Sequence, residues 1–424
     1  MIARKNAVLS DEGIAIGPLA GLRVLDLSHV LAGPYATYHL ALLGAEVIKI
    51  EKPPAGDAIR DLETRPAEGG VTAAFQGVNT GKRAIALDLA RPEGRAVLER
   101  LIPTAAVFLE NFRPGKMARL GFGPERVAAL NPAIVYASIS AWGQSGDYAG
   151  RPGYDHVMQA ATGMMWLQGA DPAAPPVKVG FPAIDMAAGM MGAMAVMAGL
   201  MRRRTGDTGP IVLDISMADA ALALMSAPAS RYLMEGAAPA RIGNGAFAAS
   251  PGGNVFRTAD GWLATAANTL GQFDALVSVL GQPELATAPD WLRLRPAARD
   301  TMLRDCGTPR LEAALRDAFL SRGSEAWESL LSAAGVPAAA VRSPAAFLDG
   351  SYRRTPGFSG RVPCLHGPPG SMQEVLGAGF RINGTAPVPQ AAAPRLGADT
   401  DSVLGELGYN AAEILTLRAS GAAQ

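Results

Sequence analysis

The chain has 424 residues, of which 49% are hydrophobic and 18% are charged, so it is globular and long enough for two domains. Lys plus Arg and Asp plus Glu are equal at 38 each, which leaves no net charge to attract nucleic acid or an anionic membrane. The two cysteines, Cys306 and Cys364, are too few for a disulfide scaffold or a thiolate metal site. No long apolar segment marks the start as a signal peptide, and we expect a cytoplasmic protein without a metal.

The first half alternates between β-rich and helical patterns. A β-rich run begins at Leu22, a helical stretch follows, and EVIKIEKP is a second β-rich run, which together predict parallel strands joined by a helix. Further strands are predicted over 83–89, 105–112, 133–143 and 210–216, with a helix from Pro92. The expected fold class is α/β, with a large doubly wound, Rossmann-like parallel-sheet domain.

The pattern changes in the second half. The Gly-, Ala- and Ser-rich stretch RIGNGAFAASPGGN is typical of a linker or mobile loop, and Asp260-Gly261 between two β-rich runs predicts a hairpin. Three helical segments follow, and the tail over 396–421 is helical again. We predict a large domain over 1–225 completed by 350–424, a linker over 226–245, and a smaller α+β domain over 246–345.

Several common catalytic motifs are absent from the sequence. Glu51 could bind a ribose, but Pro34 stands where a dinucleotide-binding glycine motif would need close backbone approach. No P-loop or GxSxG motif occurs, and the four histidines have no metal-ligand spacing. A nicotinamide dehydrogenase, a hydrolase triad and a histidine metal site are therefore disfavoured.

Basic residues cluster at the predicted strand ends, where open α/β sheets bind ligands. A solvated surface explains at least half of them, and as a set they suit a phosphorylated, adenine-bearing ligand. They are Lys52, Arg60, Lys82, Arg83, Arg113, Lys116 and Arg119.

Asp185 is the one charge in the apolar run from Gly180 to Met201. A membrane span is disfavoured, because Pro182 and Asp185 interrupt one end and the run is built from Ala, Gly and Met; a buried helix suits it better. One interpretation makes Asp185 the N-cap of that helix. The other makes it a nucleophile, since a carboxylate of pKa near 4 is ionised at neutral pH and can attack a thioester without a general base.

The chain resembles the class III coenzyme A transferases of the CaiB/BaiF type, which include formyl-CoA transferase and the α-methylacyl-CoA racemases. The resemblance runs through nearly the whole sequence in the order of the family. It rests on LAGLRVLDLSHVLAGPYAT, LLGAEVIKIEKP, NTGKRAIALDL, ENFRPG with ARLGF, NPAIVYASISAWG, GYDHVMQAATG, the Asp185 segment, RRRTGDTGPIVLDISMADA, VFRTADGW and LGADTDSVLGELGY.

The resemblance implies an interlocked homodimer that takes an acyl-CoA donor and a carboxylic acid acceptor, with no permanently bound cofactor. Asp185 falls on the nucleophile of the family, and Ser250 to Gly253, including Gly252 and Gly253, on its mobile shielding loop. Lys52 and Arg119 are the expected charged contacts to the adenosine phosphate end. The implied CoA contacts are Leu31, Ala32, Lys52, Leu87, Asp88, Leu89, Ala90, Asn111, Phe112, Arg113, Arg119, Ser140, Ala141, Trp142 and Gly143.

Two departures from the family pattern narrow the branch. Leu31 stands where formyl-CoA transferase has glutamine, which favours a less polar acyl group than formyl or oxalyl. Tyr154 stands where the racemases have a catalytic histidine, with His156 two residues on as a poor substitute. A transferase acting on dicarboxylic acids such as succinate or malate is expected from family frequency, with a racemase or a CoA-binding thioesterase as alternatives.

Overall fold

The computed structural model describes residues 17–62, 71–171, 173–246, 249–287, 298–304, 307–350, 359–363 and 371–424. Cys306 and Cys364 lie outside these residues. The described chain divides into two compact units. The first lies within Met1–Met164, Val179–Ser230 and Thr355–Gln424, and the second within Met165–Lys178 and Arg231–Arg354.

A six-stranded parallel sheet forms the centre of the first unit, in the order β3-β2-β1-β4-β5-β6. This confirms the predicted α/β class and parallel sheet. The order runs outward in both directions from the β1–β4 pair, which makes that pair the topological switch point of the sheet. The strands are β1 (Arg23–Asp26), β2 (Glu46–Glu51), β3 (Arg83–Ala86), β4 (Val107–Glu110), β5 (Val135–Ser140) and β6 (Ile211–Ser216).

Helices cover both faces of this sheet, because alternate strand residues point to opposite sides. Val107 and Leu109 pack on one side and Phe108 on the other. The helices up to the second unit are α1 (Ala32–Leu42), α2 (Ala73–Asn79), α3 (Pro92–Leu101), α4 (Lys116–Arg119), α5 (Pro124–Leu130), α6 (Asp155–Ala161), α7 (Met164–Leu167), α8 (Ala183–Arg204), α9 (Met217–Leu224) and α10 (Ser226–Glu235). Short 3₁₀ helices occupy Ala58–Asp61, Ile102–Thr104 and Pro283–Ala286.

The apolar run around Asp185 forms α8, which packs against α1 and β5. A Cβ on Gly189 would lie 2.7 Å from the Ala32 carbonyl oxygen, and one on Gly192 would lie 2.8 Å from Ile139 Cδ1. Glycine at these positions therefore lets the helix approach α1 and the sheet closely. Among the described residues α8 alone is long and apolar enough to cross a membrane, and its buried face makes it a core helix of this unit, as expected.

The second unit holds an antiparallel sheet in the order β7-β8-β9 and its own apolar core. The predicted hairpin at Asp260-Gly261 is confirmed by the pairing of β7 with β8. The elements are β7 (Val255–Arg257), β8 (Trp262–Thr265), α11 (Leu270–Val279), α12 (Pro309–Phe319), α13 (Ser324–Ala333), β9 (Ala338–Ala340) and α14 (Pro344–Asp349).

The tail returns to the first unit, where Val403, Leu404 and Leu417 share a core with Phe108 and Tyr136. Its elements are the antiparallel pair β10 (Ser359–Pro363) and β11 (Met372–Leu376), then α15 (Thr400–Glu406) and α16 (Ala411–Ala419). The first half of the predicted linker 226–245 is helix α10, and the linker bounds stay a prediction.

Candidate active site

The turn after β1 and the turn after β4 are joined at the switch point. The His29 N–H donates to Asn111 Oδ1 at 2.9 Å, and Asn111 Nδ2 donates to the His29 carbonyl oxygen at 2.8 Å. The His29 and Phe112 rings lie 4.9 Å apart, centre to centre. The two halves of the sheet thus meet in one hydrogen-bonded platform at its carboxyl edge.

A cavity of about 310 Å³ opens on this platform. Six of the predicted CoA contacts line it, together with residues that motif reasoning did not assign, above all His29, Arg151 and Tyr154. Four of the lining side chains are basic, which gives the locally cationic site that an anionic ligand needs in a chain of zero net charge. The wall comprises His29, Asn111, Phe112, Arg113, Pro114, Lys116, Arg119, Ser140, Ala141, Arg151, Pro152, Gly153 and Tyr154.

Two uncharged polar atoms are buried in the cavity wall without a hydrogen-bond partner among the described residues. They are His29 Nδ1 and Ser140 Oγ. Burial lowers the pKa of His29, so its ring is neutral near pH 7 and can donate or accept one hydrogen bond at each nitrogen. Buried polar atoms are rarely left unsatisfied, so a hydrogen-bond partner from outside the described residues is expected at these two atoms.

The buried carboxyl of Glu110 hydrogen-bonds to the backbone of the cavity wall. Glu110 Oε2 accepts the Phe112 N–H at 2.7 Å, and Ser138 Oγ donates to Glu110 Oε1 at 2.6 Å. Burial raises the pKa of Glu110 to about 7, and these two hydrogen bonds oppose the rise. The carboxyl fixes the backbone beside Phe112.

The predicted contacts Leu31 and Ala32 lie at the start of α1, outside the cavity wall. The preceding Val30 has a φ of 64°, an uncommon conformation for a β-branched residue. Its N–H donates to Asp57 Oδ1 at 2.9 Å, and Asp57 Oδ2 pairs with buried Lys49 Nζ at 2.9 Å. A buried ion pair therefore holds a strained turn at the edge of the site, as is common at functional positions.

The remaining predicted contacts also lie at the carboxyl edge, but not in the cavity wall. Leu87 to Ala90 follow edge strand β3, where the Asp88 N–H donates to the Ala422 carbonyl oxygen at 2.9 Å. Lys52 follows β2 and is exposed. Trp142 and Gly143 follow β5, and the next residue, Gln144, donates its N–H to Asp214 Oδ2 at 2.9 Å.

Of the seven basic residues singled out in the sequence, Arg113, Lys116 and Arg119 line the cavity. Three others have structural roles instead. Arg60 Nη2 pairs with Glu51 at 2.7 Å, Lys82 with Asp26 at 2.9 Å and Arg83 with Glu46 at 2.5 Å. Glu51 is thereby committed to Arg60, which further disfavours a ribose-binding role for this carboxylate.

Asp185 is not the N-cap of α8, contrary to one sequence interpretation. The helix begins at Ala183, so Asp185 is its third residue, and Pro182 at the N-cap offers no side-chain hydrogen bond. Asp155 supplies the acceptor: its Oδ1 accepts the N–H groups of Ile184 at 2.7 Å and of Asp185 at 3.1 Å. Sequence reasoning missed this role because Asp155 lies 30 residues before Asp185.

The Asp185 carboxyl group has an unusual proton affinity. Burial, and then the charge of Asp155, raise the pKa of Asp185 to about 7. The expectation of a pKa near 4 is therefore wrong, and near neutral pH the group is divided between its acid and its carboxylate. Asp185 lies one turn before Gly189 on the same face of α8, about 6 Å along the axis, and Gly189 packs against Ala32 and Tyr35.

The predicted loop Ser250 to Gly253 belongs to the second unit, where its residues are buried. Ser250 Oγ donates to the Ala267 carbonyl oxygen at 2.8 Å, and the Gly253 N–H donates to the Ser250 carbonyl oxygen at 3.1 Å. These contacts make a hydrogen-bonded turn, and the mobility expected at Gly252 and Gly253 stays a prediction. Their part in shielding the site stays a prediction.

Comparison with known proteins agrees with this architecture. The sequence model of "CoA-transferase family III" matches residues 19–400. The succinate–glutarate CoA-transferase of Agrobacterium fabrum is 38% identical over 62% of this chain and 66% of that protein. An acyl-CoA transferase of Fusarium pseudograminearum is 31% identical over 98% of this chain and 90% of its own length.

A solved structure is also similar over nearly the whole chain. A CaiB/BaiF family protein from Brucella suis has a TM-score of 0.78 and 29% identity, covering 92% of this chain and 99% of that one. The α/β fold with its six-stranded parallel sheet therefore matches that of a CaiB/BaiF family protein. The chain belongs to CoA-transferase family III and is an enzyme of that family.

Proposed function

We propose that this enzyme moves CoA from an acyl-CoA donor to a dicarboxylic acid through covalent intermediates on Asp185. The observation that carries the proposal is the placement of Asp185: a half-buried carboxyl in the first turn of α8, on the face that packs against the start of α1. A carboxylate there can act as a nucleophile without a separate base.

The chemistry proceeds in two halves. The Asp185 carboxylate attacks the thioester carbonyl carbon and forms a C–O bond. The C–S bond then breaks, CoA leaves as a thiolate, and a mixed anhydride of Asp185 and the acyl group remains. The thiolate then attacks the Asp185 carbonyl carbon, which releases the donor acid as its carboxylate and leaves an aspartyl-CoA thioester. An acceptor carboxylate reverses these steps and leaves with CoA.

The first turn of α8 favours the negative charge that develops during these steps. The positive end of the helix dipole lies there. Donors held in place before the reaction stabilise a tetrahedral oxyanion most effectively. Because an anhydride hydrolyses, the burial of Asp185 also serves to keep water away.

CoA binds along the carboxyl edge of the sheet, with its phosphates at the basic cavity. Arg113, Lys116, Arg119 and Arg151 supply the positive charge there. The neutral His29 Nδ1 and Ser140 Oγ suit the amide and hydroxyl groups of the rest of the ligand. Leu31 and Ala32 lie toward Asp185, at the thioester end.

Dicarboxylic acids are the proposed substrate class. Relatives in the family are named for such acids, including the Agrobacterium succinate–glutarate enzyme and a succinyl-CoA–L-malate CoA-transferase subunit from Chloroflexus aurantiacus. The alignment with that subunit gives 34% identity over 67% of this chain.

The enzyme is further proposed to be a cytoplasmic, interlocked homodimer, as the family resemblance implies. An apolar surface on α8 and α9 supports an association between copies. Met190, Met194, Met201, Leu222 and Leu224 are exposed there in the single chain. Apolar patches of this kind are typical of protein interfaces.

Mass spectrometry of the protein after exposure to succinyl-CoA or acetyl-CoA tests the mechanism. We expect an aspartyl-CoA adduct on the peptide that contains Asp185, replaced by a hydroxamate when hydroxylamine is added. The Asp185→Asn variant should bind CoA with unchanged affinity and form no adduct.

Other outcomes identify the alternatives. Exchange of the α-proton into heavy water without an acceptor acid, and without an adduct, would indicate a racemase. Acceptor-independent release of free CoA would indicate a thioesterase. The exposed Tyr154 at the position of the racemase histidine disfavours the first of these.

A further inference from the structure

The start of α8 is held by a carboxylate from another helix. Asp155 Oδ1 accepts the backbone N–H groups of Ile184 and Asp185, at 2.7 and 3.1 Å. Pro182 at the N-cap has no N–H, and the Ala183 N–H donates to the Phe181 carbonyl oxygen at 2.8 Å, so Asp155 satisfies the other two N–H groups of the first turn. The hydrogen bond to Asp185 ties the backbone of the nucleophile directly to α6.

Gln159, one turn along α6, extends this link. The residue is fully buried, and its Nε2 donates to Asp155 Oδ2 at 2.6 Å. Its Oε1 accepts the Val179 N–H at 2.8 Å, and its Nε2 lies 3.4 Å from the Phe181 carbonyl oxygen. One amide therefore orients Asp155 and anchors the segment that leads into α8.

We propose that Asp155 and Gln159 are positioning residues that hold Asp185 in place, and that Asp155 also sets the pH range in which Asp185 reacts. The inference rests on the proposed function, since its effect is exerted on the nucleophile. Asp155 reaches the reaction through Asp185, whereas Gln159 acts through Asp155 and the entering segment.

The charge of Asp155 also acts on Asp185. The elements packed against α8 bring other titratable groups to its surroundings, namely Tyr35 and His39 of α1, exposed His156 of α6, Asp214 of β6 and Asp219 of α9. Among the described groups, Asp155 is the charge that raises the pKa of Asp185, in addition to burial. Because Asp155 Oδ1 accepts the Asp185 N–H, the two carboxyl groups are neighbours, and ionising both of them costs free energy through charge repulsion.

The test is the pH dependence of adduct formation on full-length protein. Succinyl-CoA at saturating concentration is mixed with enzyme, quenched in acid, and the aspartyl-CoA adduct is quantified by intact mass. For a group that titrates near pH 7, the wild-type rate should be about tenfold higher at pH 8 than at pH 6.

Asp155→Asn keeps an oxygen for the N–H groups of α8 and removes the charge, so its ratio should fall to about two- or threefold. Asp219→Asn is the matched control: it removes a carboxylate from the first turn of α9 and should keep the wild-type ratio. Affinity for CoA, measured at both pH values, separates binding from the chemical step.

Gln159→Leu separates position from charge. It removes the amide's hydrogen bonds but leaves the Asp155 charge. The adduct should therefore form at least about tenfold more slowly, corresponding to about 1.4 kcal/mol, with the wild-type pH ratio.

In the double variant Asp155→Asn/Gln159→Glu, the new amide can donate to the new carboxylate, and the negative charge moves one turn along α6. In Asp155→Asn alone, the new amide group would face the Gln159 Nε2 donor, which should lower the melting temperature. The double variant should regain the melting temperature lost in Asp155→Asn while its ratio of the rates at pH 8 and pH 6 stays below that of the wild type.

The two proposals fail separately. A wild-type enzyme without an adduct from succinyl-CoA or acetyl-CoA would overturn the covalent role of Asp185. A wild-type adduct combined with an unchanged tenfold pH ratio in Asp155→Asn would overturn the role of Asp155. A wild-type rate in Gln159→Leu would overturn the role of Gln159, and this rate tests the positioning role even if Asp155→Asn fails to fold.

Discussion

At the scale of single residues, the Asp185 carboxyl occupies a place that disfavours its charge. Its pKa is about 7 in the folded protein, against 3.8 for the unperturbed group. Between these values the folded state binds more protons than the unfolded state, so stability falls as pH rises through this window. Above pH 7 the full cost is present, about 4 kcal/mol at most for a shift of this size.

The Asp185→Asn variant should therefore be more stable than the wild type at pH 8, although it has lost turnover. The amide is uncharged, so it avoids the cost of burying a carboxylate. We expect a higher melting temperature at pH 8 and a smaller difference at pH 5.5, measured by calorimetry. An equal difference at the two pH values would contradict this account.

The basic cavity yields a second prediction at this scale. Arg119→Ala should weaken CoA binding about tenfold, because a charge-assisted hydrogen bond contributes about 1.5–3 kcal/mol. Arg126→Ala is the control, since Arg126 lies outside the cavity and pairs with Glu99 at 2.8 Å. Calorimetric titration with CoA and with dephospho-CoA identifies which phosphate Arg119 contacts. An equal loss of CoA affinity in Arg119→Ala and Arg126→Ala would argue against the cavity as the CoA site.

Sequence reasoning singled out Asp185 and six predicted CoA contacts that line the cavity, but it did not predict the proton affinity of the Asp185 carboxyl. The raised pKa of Asp185 depends on burial and on Asp155, which only the folded chain brings together. Folding alone likewise brings Lys82 to Asp26 and Arg60 to Glu51. A linear pattern shows that a residue is basic but does not show whether a carboxylate already neutralises it.

At the scale of elements, the close approach of α1 and α8 packs the first turns of α8 against the start of α1. Gly189 permits this approach, and Asp185 lies one turn before it. Most strands and helices follow the sequence pattern, because their apolar residues alternate or recur at the expected period. Helix α10 was missed, since SAPASRYLME contains a proline and buries no residue in the single chain.

Gly189→Ala tests this contact. The new methyl group would lie 2.7 Å from the Ala32 carbonyl oxygen, so α8 must shift, and overpacking of this kind costs about 1–3 kcal/mol. We expect a lower melting temperature and slower adduct formation on Asp185. Gly77→Ala, at an open position in α2, should instead be neutral or stabilising; a similar loss in both variants would show that the contact is unimportant.

At the scale of the whole molecule, the sequence predicted a parallel, doubly wound sheet but did not determine which strands are neighbours. The order follows from tertiary packing, and with it the β1–β4 switch point at which His29 meets Asn111. That contact brings His29 to the cavity wall, which explains why motif reasoning along the chain did not find His29.

The proposed homodimer gives a prediction at this scale. Met194 of α8 is 60% exposed and Leu415 of α16, in the layer on the opposite face of the sheet, is 66% exposed. Met194→Glu places a charge in the proposed interface and should shift the protein toward monomers in light scattering. Leu415→Glu, the control, should leave the molar mass from light scattering unchanged. A wild-type protein that is already a monomer, or a Met194→Glu variant that is still a dimer, would contradict the proposed surface.

The switch point has a further consequence for how this enzyme matures. Each half of the sheet is encoded by a continuous stretch, β1 to β3 in one and β4 to β6 in the other, and the cavity needs residues from both. A partly folded chain with one half formed therefore lacks the complete cavity. If CoA binds there as proposed, it is expected to favour the completed fold over such intermediates by mass action.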